Sequence, residues 1–179
     1  KRLLDLTLAV LGLLLSAPLC LLVALAIKLE DGGPVLYSQW RWGRGGRKFL
    51  VRKFRTMVPD SDRRYGVRQA SAGDRRVTRV GRLLRACGMD ELPQLVNIVR
   101  GEMSLVGPRA LAVGETISDG NGRYRTYENV PGYWERLVVR PGLTSLATVY
   151  LPKDAPPRAK FRYDLLYIRR RSFWLDLWL

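Results

Sequence analysis

The sequence contains no histidine and only two cysteines. Without histidine, Ser-His-Asp triads and His-ligated metal sites are excluded. Cys20 lies in an apolar run and Cys87 in a basic one, so no disulfide framework is indicated. Both read as reduced packing residues of a chain facing a cytosol. Acidic residues are also short, with 16 Asp+Glu against 31 Lys+Arg and a net charge of +15. That excess repels itself in a compact state and calls for a polyanionic partner, whether nucleic acid, an anionic bilayer surface or a phosphorylated substrate. Most of it is Arg, whose planar fork grips phosphate oxygens bidentately. There is no internal repeat or low-complexity tract, and 179 residues suit about one domain.

Charge is missing altogether from Leu6 to Ile27. The run meets the roughly 20 residues needed to cross a hydrocarbon core. A signal peptide is the rival, but Ala24-Leu25-Ala26-Ile27-Lys28 continues without a small-x-small cleavage site. We therefore expect an anchor. Positive charge flanks it on both sides, Lys1 and Arg2 before and Lys28 after, so the positive-inside rule places both ends in the cytoplasm. One straight spanning helix fails that demand, whereas a re-entrant helix-break-helix meets it. Pro18 near the midpoint removes a backbone donor, and Ser16 is suited to re-satisfying a freed carbonyl. A kinked spanning helix is the plainer alternative. Asp5 is expected to pair with Lys1 and Arg2 at the membrane edge.

Beyond the run, Val35–Gln39 and Phe49–Phe54 are β-prone and flank the turn-forming stretch Arg41-Trp42-Gly43-Arg44-Gly45-Gly46, predicting a β-hairpin. Trp40 and Trp42 beside Arg41 and Arg44 suit a headgroup-level surface, or an ordinary hairpin with one packed Trp. Asp60 to Asp74 lacks an apolar period and reads as a mobile loop, either a linker or a lid. Val77, Val80, Leu83, Leu84 and Cys87 recur at three and four, an amphipathic helix stopped by Gly88. A second helix opens at Asp90, buries Leu92, Leu95, Val96 and Val99, and closes at Gly101. Two turns, Ser104–Arg109 and Val139–Ser145, each set a lone Arg beside Pro and Gly. Ser118 to Gly122 reads as a surface loop. Phe161 to Leu179, with Arg169-Arg170-Arg171 abutting Trp and Leu, suits either an interfacial membrane helix or a core-packing one. The expected class is α+β, mostly helical, with a re-entrant membrane helix over 1–29 and a compact cytosolic catalytic domain over 30–179 that carries a small β-hairpin and interfacial helices.

Asp90 and Glu91 are neighbouring carboxylates at a helix start beside a basic face. Local physics alone favours a cap, worth roughly 0.5–2 kcal/mol. The sharper reading is an ionised Asp that attacks a phosphoryl group, its repulsion cancelled by guanidinium groups and Mg²⁺. Lys53, Arg55, Arg85, Arg109 and Arg140 supply the cations.

The choice is resolved by motif order. Lys1-Arg2 with Asp5, then Gly33-Pro34-Val35 through Gln39, Arg41 and Gly43, Lys53-Phe54-Arg55-Thr56-Met57, Arg79-Val80-Gly81-Arg82-Leu83-Leu84-Arg85, Asp90-Glu91-Leu92-Pro93-Gln94-Leu95, Met103–Arg109 and Arg140-Pro141-Gly142-Leu143-Thr144 run along nearly the whole chain. In this order they resemble the monotopic polyprenyl-phosphate phosphoglycosyl transferases, a bacterial sugar transferase family. The resemblance departs at Ala110, where a second Pro is usual, at Ser145, where Gly is usual, and at Arg170-Arg171, where an Asn is usual. It also starts at Lys1, as expected of a catalytic module cut from a longer protein with extra membrane helices.

The resemblance implies transfer of a sugar 1-phosphate from a UDP-sugar to undecaprenyl phosphate at the cytoplasmic face of the bacterial inner membrane. Asp90 would be the nucleophile that forms an aspartyl phosphosugar, with Glu91 assisting through Mg²⁺ held by both carboxylates. Lys53, Arg55, Arg85, Arg109 and Arg140 would bind phosphate, and Ser16 and Pro18 would mark the membrane helix break. The expected partners are the two substrates and the membrane, with a homodimer left open and no nucleic acid. A DNA-binding module and a non-catalytic membrane scaffold are the rivals. The first predicts salt-sensitive DNA binding; the second predicts that Asp90→Asn alters stability alone.

Overall fold

A computed structural model describes residues 1–66, 73–118, 124–152 and 155–179. Helix α1 runs unbroken from Arg2–Asp31 with Pro18 inside it, and Gly32 ends it in the left-handed conformation. Pro18 has no N–H for the carbonyl of Leu14, and the Ser16 hydroxyl instead reaches the carbonyl of Leu13 at 3.5 Å. The secondary structure thus continues through the expected break. It is the one helix long and apolar enough to cross a membrane among the described residues.

The hairpin forms as read, β1 (Leu36–Trp42) pairing antiparallel with β2 (Lys48–Phe54) from Leu36↔Phe54 to Trp42↔Lys48. Gly45 and Gly46 both take positive φ in the connecting turn, which a side chain would strain. Trp42 is the packed tryptophan: its indole N–H donates to Glu128 and its ring meets Trp134 edge-on, while Trp40 stays exposed. Part of the expected loop Asp60–Asp74 is instead a one-turn helix, α2 (Ser61–Tyr65), where Asp62 accepts from the Tyr37 hydroxyl. Residues 67–72 of that stretch lie outside the described residues.

Helix α3 (Arg79–Cys87) is capped by the Thr78 hydroxyl on the Gly81 N–H and stopped by left-handed Gly88. Its buried face is narrower than the periodicity suggested. Leu84 is buried and Val80 packs beside it, but Leu83 is 71 % exposed and Cys87 lies on the surface. A nine-residue helix with Arg at three positions has too little apolar area to bury its whole stripe. The next segment is a 3₁₀ turn, Met89–Gln94, leading into α4 (Leu95–Arg100) and left-handed Gly101. Asn97 fastens α4 beneath the hairpin by donating to the Leu50 carbonyl at 2.8 Å.

The two Pro-Gly turns become one small parallel sheet, β3 (Ser104–Val106) against β6 (Gly142–Thr144). Their approach demands glycine. A Cβ on Gly107 would lie 2.5 Å from the Arg140 carbonyl, and one on Gly142 would lie 2.1 Å from the Gly107 nitrogen. Between them, β4 (Thr116–Ser118) pairs antiparallel with β5 (Tyr124–Thr126). These strands flank the expected surface loop, whose residues 119–122 lie outside the described residues. Helices α5 (Leu146–Tyr150), α6 (Pro157–Arg170) and α7 (Phe173–Trp178) complete the chain. The C-terminal stretch divides its expected roles: α6 buries Phe161 and Tyr167, whereas α7 exposes Phe173, Trp174, Leu177 and Trp178.

Both ends of α1 dock on this one globular unit. At the N-terminal end Arg2 donates to the Ile98 and Val99 carbonyls, and Asp5 accepts from the Ser104 hydroxyl and the Leu105 N–H. Asp5 therefore answers to β3, not to Lys1 and Arg2 as expected, because it is buried where backbone and hydroxyl donors lie within reach. Lys1 pairs with Asp176 of α7 instead. Ala9 and Leu13 pack with Leu95 and Ile98. At the C-terminal end Cys20, Val23 and Ile27 pack with Phe54 and Leu84, and Glu30 accepts from the Arg79 N–H. The outward face, including Leu14, Leu15, Leu21 and Leu25, is open.

Candidate active site

The carboxylates Asp90 and Glu91 sit in the joint between α3 and α4. Gly88, at φ 69°, reverses the chain after α3, and the 3₁₀ turn then carries both residues past β2. Pro93 fits there because a first helical turn has no intrahelical use for its N–H. Asp90 does not act as the cap that local physics favoured. The residue preceding the turn is Gly88, and no side chain caps it.

The neighbours differ in environment. Glu91 is paired, its carboxylate accepting from Lys53 Nζ at 2.5 Å. Burial alone would raise its pKa, but Lys53, Arg109 and Arg41 outweigh that and hold it below the usual carboxylate range. Asp90 is half-buried, and its own backbone N–H is its hydrogen-bonding neighbour. Burial raises its pKa, Lys53 and Arg85 pull against the rise, and the adjacent Glu91 adds to it. The expectation that the basic surroundings hold Asp90 fully ionised is thus opposed by desolvation.

The cations reach the dyad from different elements. Lys53 stands directly across from Tyr37 in the hairpin, and burial depresses its pKa even against Glu91. Arg85 extends from α3 and donates to the Thr56 hydroxyl at 2.7 Å; burial lowers it and Asp90 raises it. Arg109 follows β3, its exposed side chain acting on Glu91 and Lys53 through space. Arg140 is seated by the Gly107 contact beside Arg109's loop, and its guanidinium has no hydrogen-bonding or ion-pair partner among the described residues. Arg55 is placed elsewhere: both arms grip Asp31, and it also donates to the Pro34 and Met57 carbonyls, tying β2 to the end of α1.

Arg41, on a hairpin that suited either a headgroup-level surface or ordinary packing, is half-buried and turns its guanidinium inward. It donates to the Ala110 carbonyl and, at 3.1 Å, to Gln39, while its buried Nε has no partner. Burial lowers its pKa first and Arg109 second, with Glu115 and Glu91 opposing. The alternation of β1 held the signal, since Tyr37, Gln39 and Arg41 share the face that Lys53 joins.

Among the described residues no group of three or more Cys, Asp or Glu side chains forms a metal cage. Two adjacent carboxylates, one of them with no side-chain partner, do fit Mg²⁺, which usually takes one or two carboxylates and completes its shell with water and phosphate oxygens. The two carboxylates thus lie among Lys53, Arg85 and Arg109, cations of the kind that can offset phosphate charge.

The chain belongs to the bacterial sugar transferase family, whose model matches residues 1–179. It is 48 % identical to the UDP-glucose:undecaprenyl-phosphate glucose-1-phosphate transferase of Caulobacter vibrioides, covering 99 % of this chain and 65 % of that protein. It is 42 % identical to the exopolysaccharide production protein PSS of Rhizobium leguminosarum, covering 99 % of this chain and 89 % of the relative. A third relative, the UDP-N-acetylgalactosamine-undecaprenyl-phosphate N-acetylgalactosaminephosphotransferase of Aeromonas hydrophila, is 41 % identical, with 99 % of this chain aligned to 41 % of its length. The chain thus spans under two thirds of the Caulobacter and Aeromonas proteins.

Proposed function

We propose that this chain is the catalytic unit of a transferase that moves a sugar 1-phosphate from a UDP-sugar to undecaprenyl phosphate at the cytoplasmic face of the membrane. The carrying observation is the asymmetric dyad. Asp90 has a carboxylate with no side-chain partner, next to a Glu91 already neutralised by Lys53. Relatives named for two different UDP-sugars support the reaction class and leave the sugar open.

In this reading an Asp90 oxygen attacks the β-phosphorus of the UDP-sugar. The bond from that phosphorus to the bridging oxygen breaks, and UMP leaves with the electron pair. An oxygen of undecaprenyl phosphate then attacks the same phosphorus. Asp90 departs as carboxylate, and the product is the polyprenyl diphosphate sugar. Asp90 must be ionised to attack; Lys53 and Arg85 favour that form against burial, and its raised pKa makes it the more basic, stronger nucleophile of the two. Glu91 and Lys53 hold their shared geometry, and Arg85 and Arg109 offset phosphate charge that would otherwise repel Asp90. Mg²⁺ bound at Asp90 and Glu91 would supply further neutralisation of phosphate charge. The lipid acceptor reaches this site along the outward apolar face of α1 and the exposed aromatics of α7, which α1 joins through Lys1–Asp176.

The test is direct. Incubation with a UDP-sugar labelled in the sugar, without lipid acceptor, is expected to leave label on the protein at Asp90 and to release UMP. Turnover by Asp90→Asn at the wild-type rate would overturn the nucleophile assignment.

A further inference from the structure

A second charged cluster lies on the far side of Arg109. Arg136 is 3 % exposed and Asp164 is 1 % exposed, and they pair at 2.7 Å. A buried ion pair is weak support for stability, because desolvation offsets its attraction. What this one does with its remaining donors is therefore informative. Arg136 Nη2 donates to the backbone carbonyl of Arg109 at 2.8 Å, while its guanidinium lies 4.3 Å from the Phe161 ring centre. Phe161 and Asp164 are one turn apart on α6, so a single helix face both stacks and orients the guanidinium. The next carbonyl, that of Ala110, is gripped by Arg41. Two guanidinium groups, that of buried Arg136 and that of half-buried Arg41, therefore hold consecutive carbonyls of the turn that presents Arg109, and the Arg109↔Gly142 bridge holds it from a third side.

We infer that the Arg136–Asp164 pair is a positioning device, with Arg136 fixing the backbone of Arg109 so that its exposed guanidinium meets the substrate phosphate. The inference rests on the proposed transfer reaction, in which Arg109 offsets phosphate charge. A neutral side chain at 136 fills the space without the two-way bond. Lysine keeps the charge beside Asp164, but its single nitrogen cannot span both acceptors as a planar fork does.

The experiment is a double-mutant cycle in the full chain reconstituted in nanodiscs, reading UMP release with undecaprenyl phosphate. Wild-type release from a UDP-sugar tests the reaction itself; the cycle, run on that substrate, tests the positioning. Arg136→Lys is expected to lower kcat/KM about 10- to 100-fold, the scale of a small misplacement of a binding group. In an Arg109→Ala background the same change should cost almost nothing further, because the group being positioned is gone. Thermal midpoints of all variants are measured alongside. If Arg136→Lys does not fold, Asp164→Asn, which frees the guanidinium to rotate, takes its place in the cycle. Losses that multiply across the two sites, or an Arg109→Ala protein as active as wild type, would overturn the inference.

Discussion

Asp90 and Glu91 are sequence neighbours whose environments push them in opposite directions, and each direction fixes a sign for stability. Glu91 has a lowered pKa, so its contribution is present above the unfolded value of about 4.3 and is lost as pH falls through the folded one. Asp90 has a raised pKa, so its ionised form burdens the folded state; that burden is absent below about 3.9 and sets in as pH rises through the folded value. Asp90→Asn is therefore expected to raise the thermal midpoint at pH 7 while abolishing adduct formation, the gain fading as the scan moves to acid pH. Glu91→Gln is expected to lower the midpoint by the equivalent of roughly 1–3 kcal/mol, since it strands Lys53 in a largely buried position. Calorimetric scans of both variants from pH 4 to 8 check the pair of signs, and a destabilised Asp90→Asn would contradict the account. The residue types were legible in the sequence, but the opposition was not. It arises from Lys53, 38 positions away, choosing one carboxylate over the other.

At the level of elements, the dyad is aimed by a close approach that sequence periodicity registers only as a gap in the apolar stripe. A Cβ on Gly81 would lie 2.1 Å from the Thr56 carbonyl oxygen, so α3 rests directly on backbone. Arg85 is one turn later on the same face and bonds the Thr56 side chain. Gly81→Ala should gain up to about 1 kcal/mol of helix propensity, yet the clash with backbone costs roughly 1–3 kcal/mol and moves Arg85 off Asp90. The expected outcome is a lower midpoint and slower UMP release together; an unchanged rate would separate Gly81 from the site. The hairpin, α3 and its Gly88 stop were readable because turn glycines and local periods encode them. The β3–β6 pairing was not, as it joins turns 38 residues apart, Ser104 to Gly142, through glycine contacts that no local pattern announces. Arg55 shows the same limit: its motif position marks it as a phosphate ligand, while Asp31 at the end of α1 occupies both of its arms.

For the whole molecule, the decisive quantity is the length of α1 against where its ends are fastened. Thirty residues of helix extend about 45 Å, more than the roughly 30 Å of a hydrocarbon core. A spanning helix of that length would deliver its ends to opposite faces. Here the N-terminal end is bonded to α4 and β3 and the C-terminal end to α3 and β2, all parts of one polar, strongly basic unit. Carrying either end across would break the buried Asp5 contacts or the Arg55–Asp31 pair. Entry and exit by the same face, the topology expected from the basic flanks and Pro18, therefore requires that both fastenings persist in the membrane, although the helix itself runs unbroken. Single Leu3→Cys and Leu29→Cys changes, at 78 % and 76 % exposure, report on the two ends, with Cys20 and Cys87 first replaced by serine. In sealed inside-out vesicles a membrane-impermeant maleimide should label both, whereas Leu15→Cys, mid-helix on the open apolar face, should stay protected until detergent is added. Labelling of one end alone would mean that α1 crosses the bilayer and that its docking on the catalytic unit is released in the membrane.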